Sequence, residues 1–365
     1  MTRKIVIASR LSDYTVFFED RHDFLSELKA KNAIWIIDRN VLRLYPGYFS
    51  DIPEGSLIDF DAVEPNKTLE AAVEIYRELI SKSVKRNATL ISVGGGITQD
   101  VSGFVASTLY RGIRWIYLPT TLLAQSDSCI GSKTSLNFDQ FKNLIGTFYS
   151  PREVYINVEF LKTLEPRYFY SGFGEIIKLQ LTPVISPERD LLAVVERLKR
   201  TGSFPLSSTD DLLSLIYDSL LIKKSYIEED EFDQGRRNLL NYGHCLGHAL
   251  ESASGFEIPH GLAVMAGMLF ANIVSCRRKW IDDKMLEFLT KSVFMPHLHF
   301  DLVDFRPEYF NPDVLIENMK KDKKRTGEGL ALILPASDLE LVRINNLSLD
   351  EARRGIKQLA ETMKQ

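Results

Sequence analysis

The amino-acid sequence predicts an α/β N-terminal domain with a mainly parallel sheet, followed by a mostly α-helical C-terminal domain. Short apolar runs with β-branched residues alternate with helical patterns over about the first 150 residues, which is typical of a parallel sheet covered by helices on both faces. Helical periodicity dominates from about Pro166 onward. We therefore expect a boundary between Leu164 and Pro166 and two domains, residues 1–165 and 166–365.

The elements of the first domain follow from local patterns. Apolar runs predict four strands, at 4–9, 33–38, 88–93 and 115–118. Apolar residues at helical spacing predict two helices, over 69–85 and 97–110. Because strands and helices alternate, we expect a Rossmann-like arrangement in this domain.

The elements of the second domain are mainly helices. The periodicity predicts them over 188–200, 210–229, 241–254, 261–278 and 283–292. Two late apolar runs predict strands at 330–334 and 339–344. Residues 201–209 are rich in Ser, Gly and Pro, and we interpret them as a helix connection.

Composition and charge exclude several classes of protein. The chain has 365 residues and a net charge of −4 with both signs interspersed, whereas nucleic-acid partners select for a strong basic excess. No apolar stretch approaches the roughly 20 residues of a membrane span, and residues 1–10 are typical of a strand rather than a signal peptide. The odd number of cysteines argues against a disulfide framework. We expect a cytoplasmic protein without nucleic-acid or membrane partners.

Three consecutive glycines, Gly94, Gly95 and Gly96, separate a predicted strand from a predicted helix. Glycine permits positive φ and lets a ligand approach the backbone, and free N–H groups at a helix N-terminus suit a pyrophosphate. A tight turn that needs glycine only for its geometry is the alternative. The run lacks the G-x-G-x-x-G spacing, but with Asp100 one turn into the helix the pattern favours phosphate binding.

Three of only six histidines, His244, His248 and His260, fall close together. His244 and His248 are four residues apart on a predicted helix, so both imidazoles can face one metal ion. A pair of hydrogen-bonded core histidines is the alternative. Glycines stand beside them at 243, 247 and 261; a plain packed helix avoids glycine, so we expect the backbone there to approach a bound group.

An acidic residue and several basic residues lie in apolar surroundings. Glu175 is flanked by glycine and apolar residues and is either a further metal ligand or an exposed helix residue. Any single lysine is by default a solvated surface residue, but several that converge would bind a polyanion carrying phosphate or carboxylate. The basic candidates are Lys133, Lys142, Lys178, Lys223 and Arg237, with Asn143 and Asn241 beside two of them. The run 320–325 is typical of a solvated loop.

Together these segments resemble the 3-dehydroquinate synthase family, the sugar-phosphate cyclases, from about Glu64 to Pro335. The matching motifs occur in the family's order. They are Glu64-Pro65-Asn66-Lys67, Gly94 to Asp100, Arg111-Gly112-Ile113-Arg114, Pro119 to Ser128, Gly131-Ser132-Lys133-Thr134, Lys142-Asn143-Leu144-Ile145-Gly146, Gly174-Glu175-Ile176-Ile177-Lys178, Lys223, Asp230-Glu231, Gly235, Arg237, Leu240 to Ala249, His260-Gly261-Leu262-Ala263-Val264 and Asp322-Lys323-Lys324.

The resemblance implies a role for each candidate residue. It makes Glu175, His244 and His260 the metal ligands and turns His248 toward the substrate. The other implied substrate residues are Lys133, Asn143, Lys178, Lys223, Arg237, Asn241 and Asp127, Arg111 from across a homodimer interface, and either Lys323 or Lys324. The implied NAD site comprises Asp38, Glu64, Lys67, Gly94, Gly95, Gly96, Asp100, Thr120, Thr121, Lys142, Phe160 and Thr163.

The resemblance also implies a reaction on a small anionic sugar phosphate. In that family 3-deoxy-D-arabino-heptulosonate 7-phosphate becomes 3-dehydroquinate and phosphate, in the shikimate pathway to aromatic amino acids. A zinc or cobalt ion polarises a substrate alcohol while NAD takes a hydride. Phosphate then leaves, NADH returns the hydride, and an intramolecular aldol step closes the carbocycle.

Four positions depart from the family pattern, and other functions remain open. Ser132 replaces a usual glycine, Leu262 replaces a usual glutamate, and Thr98 and Gln99 alter the glycine turn. Asn241 favours a carboxylate-bearing substrate, since some relatives carry an acid there. The alternatives are a cyclase acting on sedoheptulose 7-phosphate or glucose 6-phosphate in secondary metabolism, a metal-dependent polyol dehydrogenase, and a non-enzymatic binding protein on the same fold.

Overall fold

The computed structural model describes residues 3–139, 141–182, 190–205, 208–320 and 329–364, with the side chain of residue 338 left aside. Its contacts divide the chain into two compact units. Unit 1 comprises Met1–Leu164 and Tyr226–Phe232, and unit 2 comprises Glu165–Ser225 and Asp233–Gln365. Lys323 and Lys324, most of the basic run 320–325 and the start of the predicted helix 188–200 lie outside the described residues.

Unit 1 is built on a seven-stranded sheet with an added hairpin. The strands are β1 Arg3–Ile7, β2 Tyr14–Phe18, β3 Ala33–Asp38, β4 Leu57–Phe60, β5 Thr89–Gly94, β6 Arg114–Pro119, β7 Lys133–Phe138, β8 Phe141–Phe148 and β9 Glu153–Ile156. The sheet has the order β1-β2-β9-β6-β5-β3-β4. All its pairs are parallel except β1 with β2, which confirms the mainly parallel sheet. β7 and β8 form a separate antiparallel hairpin.

Helices cover this sheet because their apolar residues share one face. They are α1 Asp23–Lys29, α2 Arg39–Leu44, α3 Pro46–Phe49, α4 Leu69–Ser81 and α5 Gly96–Thr108. Thr68 caps α4 by accepting a hydrogen bond from the Ala71 N–H. Ala72, Ile75 and Leu79 are its buried residues, at the spacing of one helix face.

Unit 2 is mainly helical, as the periodicity predicts. The remaining elements of the chain are α6 Pro166–Leu181, α7 Leu191–Thr201, α8 Thr209–Glu229, α9 His244–Ala253, α10 His260–Arg277, α11 Asp283–Leu289, α12 Pro312–Lys320, β10 Leu330–Pro335, β11 Leu341–Leu347 and α13 Leu349–Thr362. β10 and β11 pair as an antiparallel hairpin. The two late strands of the sequence analysis are therefore confirmed.

Most predicted elements fall within a few residues of the observed ones, and one helix start is wrong. The helix predicted from residue 241 begins at His244. Gly243 has φ of +81°, a left-handed conformation that separates α9 from the 3₁₀ turn Arg236–Asn241. Both His244 and His260 are consequently the first residues of their helices, α9 and α10.

Three helices of unit 2 pack backbone against backbone through glycines. A Cβ atom on Gly261 would lie 1.7 Å from the Ser171 carbonyl oxygen, and one on Gly174 would lie 2.3 Å from the Gly261 oxygen. On the other side, a Cβ on Gly243 would meet the Val264 oxygen at 2.5 Å. The prediction that glycines beside the histidines mark approach to a bound group is therefore wrong: they allow α6, α9 and α10 to touch.

The helix α10 forms the centre of unit 2. By length and composition it is the one described helix apolar enough to cross a membrane, but 83% of it is buried inside the protein. Such burial is typical of a core helix, which is apolar on every face.

Candidate functional site

The glycine turn of unit 1 joins β5 to α5 as predicted. β5 ends at Gly94 and α5 starts at Gly96. The buried hydroxyl of Tyr117 donates to the carbonyl oxygens of Gly94 and Gly95, each at 3.1 Å. The Thr120 N–H donates to the Gly94 oxygen at 3.0 Å, so the end of the neighbouring strand β6 holds the turn.

The glycines serve space rather than backbone conformation, because none of the three has positive φ. A Cβ on Gly94 would lie 2.2 Å from Thr98 Oγ1, and one on Gly95 would lie 3.0 Å from Thr121 Cγ2. Around Gly96 the nearest such atom, Ser128 Oγ, is 4.0 Å away. The expectation that these glycines adopt an unusual φ is therefore wrong. The space beside Gly96 suits close approach of an anion to the backbone at the start of α5.

A partly buried ion pair lies one turn into α5. Lys67 Nζ is 2.6 Å from Asp100 Oδ2 and donates to Asn143 Oδ1 at 2.6 Å. Asp100 also accepts from the backbone N–H and the hydroxyl of Ser135, both at 3.0 Å. Burial raises the pKa of Asp100, although Lys67 and Ser135 oppose that shift. The structure thus brings together Lys67, Asp100 and Asn143, which are far apart in sequence.

Two further predicted residues join this network through Asn137. Asn137 Nδ2 donates to Glu64 Oε1 at 2.9 Å, and its Oδ1 accepts from the Asn143 N–H at 3.0 Å. Lys142 Nζ lies 3.6 Å from the same Glu64 oxygen. Asn143, expected at the substrate, therefore sits among residues expected at the nucleotide.

A second group of predicted nucleotide residues lies around Tyr45. The Thr163 hydroxyl donates to Tyr45 Oη at 2.8 Å, and the Tyr45 ring meets Phe160 edge-on with centroids 5.2 Å apart. Asp38 ends β3 and caps α2 by accepting from the Asn40 N–H. Burial is the main cause that raises the pKa of Asp38, and Asp61 and Asp59 add to it.

The remaining candidates of unit 1 occupy turns. Asp127 lies in a single π-helical turn, Ala124–Ser128, a geometry frequent at functional sites. Lys133 is exposed at the first position of β7 and follows Ser132, whose φ is +60°. Arg111 is exposed within a run of positive φ that also includes Tyr110 and Gly112.

Glu175, His244 and His260 converge in unit 2. Glu175 Oε1 lies 3.6 Å from His244 Nε2 and 3.3 Å from His260 Nε2. Glu175 is only 1% exposed, so the alternative of an exposed helix residue is wrong. A buried carboxylate and two imidazole nitrogens are donors that zinc and cobalt accept. The donor set therefore fits a divalent metal.

His248 offers a second possible ligand set. Ligand atoms of His244, His248 and His260 lie within 4.8 Å of one another. The His248 ring is 5.3 Å from that of His244 and 5.7 Å from that of His260, measured between centroids. Geometry alone thus permits the helical pair with His260 as well as the set that contains Glu175.

Charged neighbours set the protonation of this cluster. Glu251 Oε2 lies 3.0 Å from His260 Nδ1. Burial opposes the charge on His260, but Glu251 and Glu175 outweigh burial and raise its pKa to about 10. Burial, reinforced by Lys178, lowers the pKa of His244 well below its usual range. A metal bound at His260 Nε2 must therefore displace a proton.

Three of the basic candidates are buried in unit 2, so the default of a solvated surface residue does not hold for them. Lys178 is 3% exposed and forms an ion pair with Glu175 on the same face of α6. Lys223 on α8 and Arg237 on the 3₁₀ turn are also buried. Asn241 ends that turn, and its amide donates to the Asn238 oxygen at 2.9 Å.

Several residues of these sites were not predicted. Tyr117 and Asn137 gave no sequence signal, because their contacts join strands and turns distant in the chain. Ser171 belongs to no motif that the sequence analysis recognised. Its hydroxyl nevertheless accepts a hydrogen bond from the Gly261 N–H at 3.0 Å, near the start of α10. Glu251, seven residues after His244, was readable as an acid on the helix that carries the histidines.

Two family models match consecutive parts of the chain, and proteins of the same description are similar over most of its length. A family model described as 3-dehydroquinate synthase N-terminal matches residues 57–171, and one described as 3-dehydroquinate synthase C-terminal matches residues 172–325. The 3-dehydroquinate synthase of Clostridium tetani is 39% identical over 300 residues, 80% of this chain and 78% of that protein. The 3-dehydroquinate synthase of Streptococcus equi subsp. equi is 32% identical over 351 residues, 92% of this chain and 93% of that protein.

Solved structures share the fold. The 2-epi-5-epi-valiolone synthase of Streptomyces hygroscopicus subsp. jinggangensis, with NAD+ and Zn2+ bound, superposes with a TM-score of 0.84 at 24% identity and covers 97% of this chain and 98% of its own. A 2-deoxy-scyllo-inosose synthase complexed with carbaglucose-6-phosphate, NAD+ and Co2+ gives 0.80 at 23% identity, covering 98% and 100%. A probable glycerol dehydrogenase of Sinorhizobium meliloti gives 0.60 at 16% identity, covering 95% and 97%.

Proposed function

The chain belongs to the 3-dehydroquinate synthase family, and we propose that it is an NAD- and metal-dependent carbon–oxygen lyase. It converts 3-deoxy-D-arabino-heptulosonate 7-phosphate into 3-dehydroquinate and phosphate. The observation that carries this proposal is the convergence of Glu175, His244 and His260 beside the buried Lys178. A metal donor set next to a buried cation suits a substrate that presents both an alcohol and anionic groups.

Each unit supplies one part of this proposal. Residues 1–165 form the NAD-binding domain, with the turn Gly94 to Gly96 at the pyrophosphate and the Lys67–Asp100 network beside it. Residues 166–365 form the metal- and substrate-binding domain. When bound, NAD supplies a hydride acceptor and the zinc or cobalt ion supplies a Lewis acid for the substrate alcohol.

The chain's own residues orient the donors and neutralise the substrate. Glu251 accepts a hydrogen bond from the His260 Nδ1–H, which leaves the Nε2 lone pair, on the side of Glu175, to bind the metal. Lys178, Lys223 and Arg237 are buried and bind the phosphate and carboxylate of the substrate. Because these cations are fixed before the reaction, they stabilise the departing phosphate without reorganisation.

Asn241 supports the heptulosonate as substrate, and the departure at Leu262 does not weigh against it. Leu262 is completely buried within α10, where its side chain packs in the core of unit 2. A neutral amide at Asn241 adds no negative charge to the turn that also carries Arg237, which suits a substrate that carries its own carboxylate. Sedoheptulose 7-phosphate and glucose 6-phosphate, the substrates of the alternative cyclases, carry none.

A substrate panel tests this function. The purified enzyme with NAD and zinc or cobalt is given heptulosonate 7-phosphate, sedoheptulose 7-phosphate and glucose 6-phosphate, and products are identified by mass spectrometry. We expect phosphate release from the heptulosonate without net accumulation of NADH. Stoichiometric NADH would instead indicate a polyol dehydrogenase, and release from only another sugar phosphate would indicate a different cyclase. Binding of NAD without any turnover would favour the non-enzymatic alternative.

The proposal includes a cytoplasmic homodimer in which Arg111 reaches the substrate of the partner subunit. Arg111 is exposed on a run of left-handed residues, and such strain is retained where a side chain must be presented. The three cysteines form no disulfide, which suits a reducing compartment.

Mixing two inactive variants tests the action across subunits. Heterodimers of R111A and K178A contain one intact site only if Arg111 acts on the partner. Random pairing then restores about one quarter of wild-type sites. No restored activity would exclude the action in trans.

A further inference from the structure

Gln99, one of the departures from the family pattern, makes a reciprocal contact with Ser128. The Gln99 Nε2 donates to the Ser128 carbonyl oxygen at 2.7 Å, and the Ser128 hydroxyl donates to Gln99 Oε1 at 2.7 Å. Gln99 is only 6% exposed, so water competes little for these bonds. The amide of glutamine supplies both the donor and the acceptor of this pair of bonds.

The contact joins two segments that both belong to candidate sites. Gln99 lies in the first turn of α5, directly after the glycine turn, and Ser128 Oγ lies 4.0 Å from the position of a Cβ on Gly96. Ser128 ends the π-helical turn that carries Asp127. The contact therefore fixes the distance between the start of α5 and Asp127, the residue that precedes Ser128.

A π-helical turn is a rare backbone form, and side-chain hydrogen bonds hold this one at both ends. The other end of this turn is held by Gln125, whose amide donates to the Pro119 and Asn157 oxygens at 3.0 and 2.8 Å. Ser126 donates to the Leu122 oxygen at 2.7 Å. These bonds anchor the turn to its surroundings, whereas the bonds of Gln99 anchor it to the glycine turn.

We propose that Gln99 is a positioning residue that sets the Asp127 carboxylate relative to the glycine turn by acting through Ser128. The inference rests on the proposed function, which assigns Asp127 to the substrate and the glycine turn to NAD. The two reacting partners must meet within a fraction of an ångström, and displacement of one of them slows the reaction more than it weakens binding.

A double-mutant cycle tests this role. Q99L keeps the bulk and removes both bonds, S128A removes the hydroxyl, and the third protein carries both changes. S107A is the matched control, because it removes a hydroxyl near the far end of α5 that also makes two bonds. The Ser107 hydroxyl donates to the Phe104 oxygen at 2.7 Å and accepts from the Thr147 hydroxyl at 2.9 Å. Steady-state kinetics with the sugar phosphate, NAD titration and thermal melts are measured for each.

We expect Q99L and S128A each to lower kcat by about tenfold while KM and the Kd for NAD change by no more than about twofold. The double variant falls no further, because both changes remove the same contact. S107A should keep wild-type kinetics. Its melting temperature shows how much stability is lost when a hydroxyl on α5 is removed.

Independent losses that multiply to about a hundredfold in the double variant would overturn the inference, as would wild-type kcat in both single variants. A fall in kcat that only follows the fraction of unfolded protein would do the same. If Q99L does not fold, S128A against S107A gives the same comparison. A wild-type enzyme inactive on every sugar phosphate refutes the proposed function itself, whereas an active wild type with unaffected variants refutes only the role of Gln99.

Discussion

Replacing Gly261 by alanine should separate α6 and α10, two of the three helices that hold the candidate metal donors. Gly261 follows His260 in α10, and a Cβ there would lie 1.7 Å from the Ser171 oxygen and 2.7 Å from its carbon on α6. Both atoms are backbone, so no side chain can rotate away. Glu175 lies one turn further along α6, with Oε1 3.3 Å from His260 Nε2.

The size of the effect follows from these distances. Ordinary contact begins at 3.4 Å and the Cβ would lie at 1.7 Å, so α6 and α10 must move apart by roughly 1.7 Å to restore it. Forcing a methyl group into a packed core costs about 1–3 kcal/mol. Metal–ligand distances tolerate only about 0.2 Å, so the same shift removes one ligand from reach. We expect loss of bound metal and a fall in kcat of about a hundredfold or more.

Metal analysis by mass spectrometry, thermal melting and phosphate release measure the three consequences in G261A. G55A is the matched control, because a Cβ on Gly55 would have no atom within 4 Å and its φ is not positive. G55A should keep full metal content and activity. If G261A also retained its metal and wild-type kcat, the close contact of α6 and α10 would not position the ligands, and the reasoning would be refuted.

Four further predictions concern the same sites. H260A should lose its metal while H248A keeps it, measured as metal content after dialysis; loss in H248A instead would support the three-histidine set. K178A should bind NAD normally by calorimetry yet release no phosphate, and unchanged turnover would remove Lys178 from the site. E251Q should weaken metal affinity about tenfold to a hundredfold in competition with a chelator, and unaltered affinity would contradict its orienting role. S132G should stabilise the protein by about 0.5–1 kcal/mol in denaturant titrations, because Ser132 holds φ of +60°; a less stable variant would contradict this.

The sequence predicted the elements whose apolar pattern is regular. The strand Ala33–Asp38 and the glycine turn before α5 appear where expected. The hairpin of β7 and β8 was missed, since β8 alternates partly and fully exposed residues and buries neither face. The helix α6 was missed although Ser171, Glu175 and Lys178 recur at helical spacing. That face is buried like every residue from Phe169 to Leu181, and the glycines at 172 and 174 weaken the helical pattern.

The site was predicted through motifs rather than through geometry. Spacing along one helix suggested His244 and His248, but no local pattern could join Glu175 to them, because they belong to helices that meet only in the folded chain. The ion pair of Lys67 with Asp100 is equally long-range. The capping box of α13, Ser348 with Glu351, was in contrast a readable local signal that was overlooked.

The helices α9 and α10 both begin at a candidate ligand, His244 and His260. The aligned peptide dipoles of each helix place about half a positive elementary charge at that end. Two such ends therefore add a fixed positive field around the Glu175 carboxylate. Peptide dipoles do not titrate, so this field persists at alkaline pH where lysine side chains lose their charge. With rising pH, the attraction of an anionic substrate to this site should thus decline less steeply than its attraction to a site built from lysines alone.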